Sequence, residues 1–205
     1  MIILDLEQNT PEWHQARLGI PTASMMSSII TSTGKASTSA KTYVNQLLAD
    51  WYAGKPVDNW EGNKFTEIGH ERESEVIDLY QFITDRTIDQ IGFCFKDDKR
   101  DVGCSPDGLI GDDGLFEQKN PKGSTMIKYL LDPKPPTEYR VQVQAQLWIT
   151  GRDWCDFMVH HPDIGHKIWR IERDEPFITL MSGMVSKFNA EMLEKRKKLE
   201  KYKNV

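Results

Sequence analysis

Two rhythms of apolar positions divide this chain into elements. Over residues 40–53, Tyr43, Leu47 and Trp51 fall four apart with Val44 and Leu48 beside them, so a helix with one core-facing stripe is predicted, ending at Gly54. A longer helix from residue 61 or 64 to about 83 carries Phe65, Ile68, Val76, Leu79 and Tyr80 on its apolar side. Glu67, His70, Glu71, Arg72, Glu73 and Glu75 stand between them. Thr10 as cap, Pro11 at the first helical position and Glu12 in the first turn predict a helix stopping at Gly19. A second opens at Thr22-Ala23-Ser24 and reaches about Ile30. Period-two alternation marks strands at 87–95, 153–160 and 167–171, the first closed by a turn at Lys96-Asp97-Asp98-Lys99. Residues 122–131 read as a short helix, the prolines 133, 135 and 136 as a rigid linker, and Thr137 as the cap of a helix ending near Gly151. From Glu175 onward the pattern is one long helix, while residues 31–39, rich in Ser, Thr and Gly, are a mobile loop.

The densest chemistry lies between the first strand and the prolines, in CSPDGLIGDDGLFEQKNP. Leu109-Ile110 and Leu115-Phe116 flank a Gly and Asp turn, which predicts a hairpin. Side chains alternate faces along a strand, so Glu117 and Lys119 share one and Gln118 takes the other. Asp107, at the start of the paired strand, reaches the Glu117 face. Two carboxylates and an ammonium at one point suit metal-assisted phosphodiester hydrolysis. Carboxylate oxygens select hard cations such as Mg²⁺ or Mn²⁺, and the lysine orients water and stabilises developing charge. The residues alone also admit a blander reading, with Asp107 as a turn residue and Glu117–Lys119 as a weak surface pair.

Composition narrows the class. The chain has 205 residues, 39% hydrophobic and 28% charged, which is one globular domain. No apolar run approaches the ~20 residues of a membrane span, and Met1-Ile2-Ile3-Leu4-Asp5-Leu6 carries no signal-peptide pattern, so a cytoplasmic protein is expected. Cys94, Cys104 and Cys155 make no zinc pattern and read as buried reduced thiols. A net charge of −5 argues against a protein that coats DNA, but a nuclease needs only a local basic groove. The basic end of the last helix, Lys195 to Lys203, reads as a solvated terminus favoured by the helix dipole, or as a contact for DNA or a partner.

The hairpin joins four other stretches, Glu12-Trp13-His14-Gln15-Ala16-Arg17-Leu18-Gly19, Thr22-Ala23-Ser24, Gly69-His70-Glu71-Arg72-Glu73 and Gln142-Val143-Gln144-Ala145-Gln146-Leu147-Trp148. In this order they resemble the lambda-type phage exonucleases, the YqaJ-like viral recombinase family of PD-(D/E)xK nucleases, over roughly Trp13 to Asp174. The resemblance implies a restriction-endonuclease-like α/β core, a central mixed sheet with helices on both faces, in one nuclease domain over 1–205 with the basic helix at about 175–203. It implies a Mg²⁺-dependent 5′→3′ exonuclease that acts on duplex DNA ends and leaves 3′ overhangs. Asp107, Glu117, the Gln118 carbonyl and an inward-turned Glu73 would be the metal groups, and Lys119 would position the attacking water. Arg17, Ser24, Ser105 and Gln144 would hold the DNA 5′-phosphate, with Trp13 and Lys35 as further DNA contacts. On the residues alone Trp13 is equally a core tryptophan under a snorkelling Arg17. A homotrimeric ring, a phage single-strand annealing partner and a phage or prophage origin in a bacterial host are implied as well. The rivals are a PD-(D/E)xK endonuclease cutting internally and a scaffold that binds DNA ends without cutting.

Overall fold

The computed structural model describes residues 1–57 and 65–203, with side chains for 1–57 and 73–202. The predicted start of the long helix before residue 65, and the side chains of Phe65, Glu67, Ile68, His70, Glu71 and Arg72, lie outside the described residues.

Among the described residues seven strands form two sheets. β1 (Ile2–Leu4), β2 (Phe93–Phe95) and β3 (Gly103–Cys104) make an antiparallel sheet in the order β1-β2-β3. β4 (Gly108–Ile110), β5 (Gly114–Lys119), β6 (Trp154–His161) and β7 (Gly165–Glu172) make the second, in sequence order. Its β4–β5 and β6–β7 pairs are antiparallel and its β5–β6 pair is parallel. A parallel pair needs a long crossover, and α4 (Gly123–Leu131) and α5 (Arg140–Thr150) supply it. The sheets meet where Asp89 and Leu109 exchange two backbone hydrogen bonds of 2.9 Å.

Alternation along β5 and β6 gives the second sheet two apolar faces. Phe116, Trp154 and Met158 pack against Val76, Ile77 and Tyr80 of α3 (Phe65–Thr84). Leu115, Cys155, Phe157 and Val159 pack against Met126 and Tyr129 of α4 and Val143 and Leu147 of α5. A third cluster joins α2 (Ala40–Ala53), α5 and α6 (Glu175–Lys203) around Cys94 and Cys104. These two thiols are free, and their Sγ atoms lie 3.4 Å apart across β2 and β3. The mixed sheet with helices on both faces is therefore the fold the chain adopts.

Several expectations shift. The strand expected over 87–95 is broken into the Asp89 bridge and β2, because Gly92 passes so close to Leu6 that a Cβ there would lie 1.7 Å from its carbonyl oxygen. The expected second helix is a six-residue 3-10 helix, Ala23–Ser28. Residues 31–39 are not loose. Ile30 bridges Ala36, Thr31 N–H donates to Lys35 O at 2.8 Å, and Arg140 donates to Ser32 O. The basic end of α6 is only partly solvated, since Arg196 donates to Gly19 O and lies 5.0 Å over the Trp51 ring.

Candidate active site

The acid hairpin is shaped by two glycines. Gly108 runs so close to Ile88 that a Cβ would meet Cγ2 at 2.1 Å, and Gly111 turns the chain with φ +52°. Arg152 then ties the turn, donating to Gly111 O at 2.7 Å and Gly114 O at 2.8 Å. Asp107 precedes β4, and its Oδ2 accepts from the Gln118 N–H at 2.7 Å. Glu117, in β5, is 1% exposed. Its Oε1 accepts from Lys119 Nζ and, at 2.6 Å, from Gln142 Nε2, while Oε2 accepts from Gln146 Nε2 at 2.7 Å. Lys119 also lies 5.6 Å from the centre of the Tyr139 ring. The expected convergence of Asp107, Glu117 and Lys119 is what the hairpin builds, and the Gln118 side chain turns away to accept from Asn120 at 3.2 Å.

Electrostatics mark this point as short of positive charge. Burial, and then the neighbouring Glu117, push the Asp107 carboxyl well above its ordinary range, with Lys119 opposing them. Burial alone would lower the Lys119 ammonium, but Glu117 and Asp107 outweigh it and raise it. A hard dication with oxygen ligands relieves this strain, so the residues fit such an ion. Asp107, Glu117 and the Gln118 carbonyl would hold it. Glu73, on α3, lines an open cleft of about 570 Å³ together with Asp107. The charge of Glu73 adds to that of Glu117 in raising the Asp107 carboxyl, so it faces the carboxylate pair from α3.

A second cleft shares Asn9 with the first. Arg17 lines it with Trp13 and Thr22. The Thr10 hydroxyl caps α1 (Pro11–Ala16), accepting from the Trp13 N–H at 3.3 Å, and so sets Trp13 inward. Trp13 Nε1 then donates to both Gly92 O and Ser105 Oγ at 3.0 Å. The Arg17 guanidinium lies 3.7 Å over the Trp13 ring, and burial brings its pKa down to about 10. Trp13 thus links Arg17 to Ser105, two residues from Asp107. At 5% exposure with its N–H spent, Trp13 is a bracket of the core, not the open DNA contact expected of it. Ser24 is exposed, its Oγ 3.3 Å from Thr22 Oγ1, and the short helix around it offers no strong dipole.

Two expected residues are elsewhere. Gln144 is 2% exposed and fully committed, donating to Glu172 O and accepting from the Asp174 N–H, both at 2.8 Å. It joins β7 to α6 and cannot turn to a phosphate without orphaning both groups. Lys35 lines neither cleft. The glutamines that do enter the site are Gln142 and Gln146. Their spacing of four on one helix face was the available signal.

The sheet, the Asp before one hairpin strand and the Glu-x-Lys on the next define the chain as a nuclease with a restriction-endonuclease-like core. More narrowly, the chain belongs to the YqaJ-like viral recombinase family, whose domain matches residues 12–153. The structure is similar to an alkaline exonuclease (LHK-Exo) from Laribacter hongkongensis, with 33% identity, 95% of this chain and 98% of that one covered, and a TM-score of 0.83. The same exonuclease in complex with dAMP matches with a TM-score of 0.84 at 33% identity over the same shares of the two chains. A phage related exonuclease from Haemophilus somnus 129PT shares the fold at 16% identity and TM-score 0.64, over 86% of this chain and 96% of that one. None of the curated proteins compared with the chain matches it. Among the described residues no helix is long and apolar enough to cross a membrane.

Proposed function

We propose that this protein is a Mg²⁺-dependent exonuclease that degrades one strand of linear duplex DNA in the 5′→3′ direction and leaves a 3′ overhang for recombination by strand annealing. The observation that carries the reading is the connected line from Glu117 and Asp107 through Ser105 and Trp13 to Arg17. It sets a hydrolytic cluster beside a guanidinium suited to a terminal phosphate. Membership of the recombinase family and the likeness to an alkaline exonuclease support a DNA exonuclease that needs a divalent metal. The dAMP complex of that relative supports a seat for a nucleotide monophosphate.

A bound Mg²⁺ would neutralise phosphate charge and make a coordinated water more acidic. The chain's own residues do the rest. Arg17 presents a planar fork to the terminal phosphate, and a 5′-phosphate offers oxygens that an internal diester lacks. Ser105, on the Trp13 ring that carries Arg17, and Ser24 would add neutral hydroxyls. Lys119, held by Glu117, keeps its proton and faces the charge that develops on the scissile phosphate. Holding the end fixed while the next bond meets the acids converts binding into positioning. A ring-shaped homotrimer and a phage single-strand annealing partner in the bacterial cytoplasm belong to the same proposal, and a sedimentation mass of three chains tests the first of these.

The test of the activity compares linear and covalently closed duplex, with and without Mg²⁺, for wild type and Glu117→Gln. Wild type digests linear DNA only with Mg²⁺ and leaves the circle intact, and the variant digests neither substrate. A nicked or linearised circle establishes an endonuclease. Ends bound but never cut establish a scaffold.

A further inference from the structure

We propose that Gln146 is a positioning residue that fixes the Glu117 carboxylate for its divalent cation. The inference rests on the reading of Glu117 as a metal ligand and names what holds that ligand still. Gln146 is 1% exposed, on the buried face of α5 among Val143, Ala145 and Leu147. Its Nε2 donates to Glu117 Oε2 at 2.7 Å. Its Oε1 is buried with no hydrogen-bond partner. Chemistry fixes this orientation of the amide, because the flipped form would set two acceptors face to face and orphan both.

An unpaired buried amide oxygen costs stability, and methionine or leucine would fill the same space without that cost. The glutamine therefore does not serve packing. What it supplies, among the described residues, is the one hydrogen bond to Oε2, since Lys119 and Gln142 both donate to Oε1. The last torsion of a glutamate is broad. Donors on Oε1 alone leave the carboxylate plane free to turn. With Gln142 and Gln146 one helical turn apart on α5, both oxygens are gripped and the plane is set before any ion arrives. Partners behind a metal ligand contribute about ten- to a hundredfold in metal affinity by such orientation.

Calorimetric titration of the whole protein with Mn²⁺ tests this for wild type, Glu117→Gln, Gln146→Met and Gln146→Leu. Thermal midpoints, and binding of a 5′-phosphorylated duplex end in EDTA, are measured on the same samples. The expected result is loss of Mn²⁺ binding in Glu117→Gln. Both Gln146 variants fold, hold the DNA end as wild type does, and bind Mn²⁺ roughly ten- to a hundredfold more weakly. Mn²⁺ affinity within about threefold of wild type in a folded Gln146 variant, where ten- to a hundredfold is expected, overturns the proposal and leaves the role of Glu117 standing. Unchanged affinity in Glu117→Gln overturns the metal-site reading and this proposal with it. If neither replacement folds, Gln146 is structural and the proposal fails.

Discussion

At the acid end, Glu117 sits inside a six-residue strand covered on both faces, and each carboxylate oxygen has its own donor. At the arginine end, Arg17 follows a six-residue helix and meets Ser105, in a loop, through the single ring of Trp13, while Ser24 lies in a six-residue 3-10 helix beside Thr22. The first arrangement is over-determined and the second is a stack of short pieces. Chemistry that must place a reacting phosphate requires a rigid frame, whereas a site that captures an incoming end tolerates adjustment. Losses should therefore be steep and uniform at the acid end, and conditional on the substrate at the arginine end.

The largest effect is expected at the acids. Asp107→Ala and Glu117→Ala each lower cleavage by about a thousandfold or more, since losing ~4 kcal/mol of transition-state stabilisation has that consequence. End binding in EDTA persists or tightens, because a negative charge beside phosphate has gone. Activity within about tenfold of wild type in either variant, against the thousandfold expected, would remove that residue from the site.

Arg17→Ala comes next. A charge-assisted contact is worth ~1.5–3 kcal/mol, so digestion of 5′-phosphorylated ends slows by roughly ten- to a hundredfold. On 5′-hydroxyl ends wild type is already slow and the substitution matters little. Equal slowing on both ends would make Arg17 a mere lid on Trp13 and dissolve the contrast between the two regions.

A smaller effect separates the glutamines. Gln144→Ala takes a partner from the part-buried Glu172 carbonyl and Asp174 N–H, at about 1 kcal/mol each. The midpoint falls by about 2–4 °C per kcal/mol in a chain of this size, with no dependence on the phosphate at the DNA end. Gln142→Ala, which removes one donor from Glu117 Oε1, lowers turnover on both kinds of end instead. A selective loss on phosphorylated ends in Gln144→Ala would return that residue to the phosphate pocket.

The smallest prediction concerns pH in the absence of metal. Folding raises the Asp107 pKa. Between the unfolded and the raised folded value, the folded chain holds a proton that the unfolded chain has lost. Stability therefore falls as pH rises through that window, and the whole cost is present above it. Asp107→Asn should raise the metal-free midpoint at pH 8 and flatten its decline with pH. A variant no more stable than wild type at pH 8 would mean that Asp107 carries no such burden.

The acid end was legible because one hairpin carries it. The period-two rule placed Glu117 and Lys119 on one face and sent Gln118 to the other, and the Gly and Asp turn brought Asp107 alongside. The elements of the second sheet and the long helices followed from strong periodicity. The arginine end was legible only in parts, since nothing local says that Trp13 Nε1 will find Ser105 ninety-two positions away. Gln144 was misplaced for the same reason. All three glutamines lie on one helix, and only the packing of α5 against β5 decides which of them meet Glu117. The break in the 87–95 strand was hidden too, because it arises from the close approach of Leu6, a distant segment.

The most direct test of the exonuclease follows the two ends of one strand. A linear duplex with 5′-phosphates carries one label at the 5′ terminus and another at the 3′ terminus of the same strand, and both are followed with Mg²⁺ present. The account predicts that the 5′ label leaves at once as a mononucleotide while the 3′ label stays on a shortening strand until late. Early release of the 3′ label, or a 5′ label that first appears on long internal fragments, would contradict it.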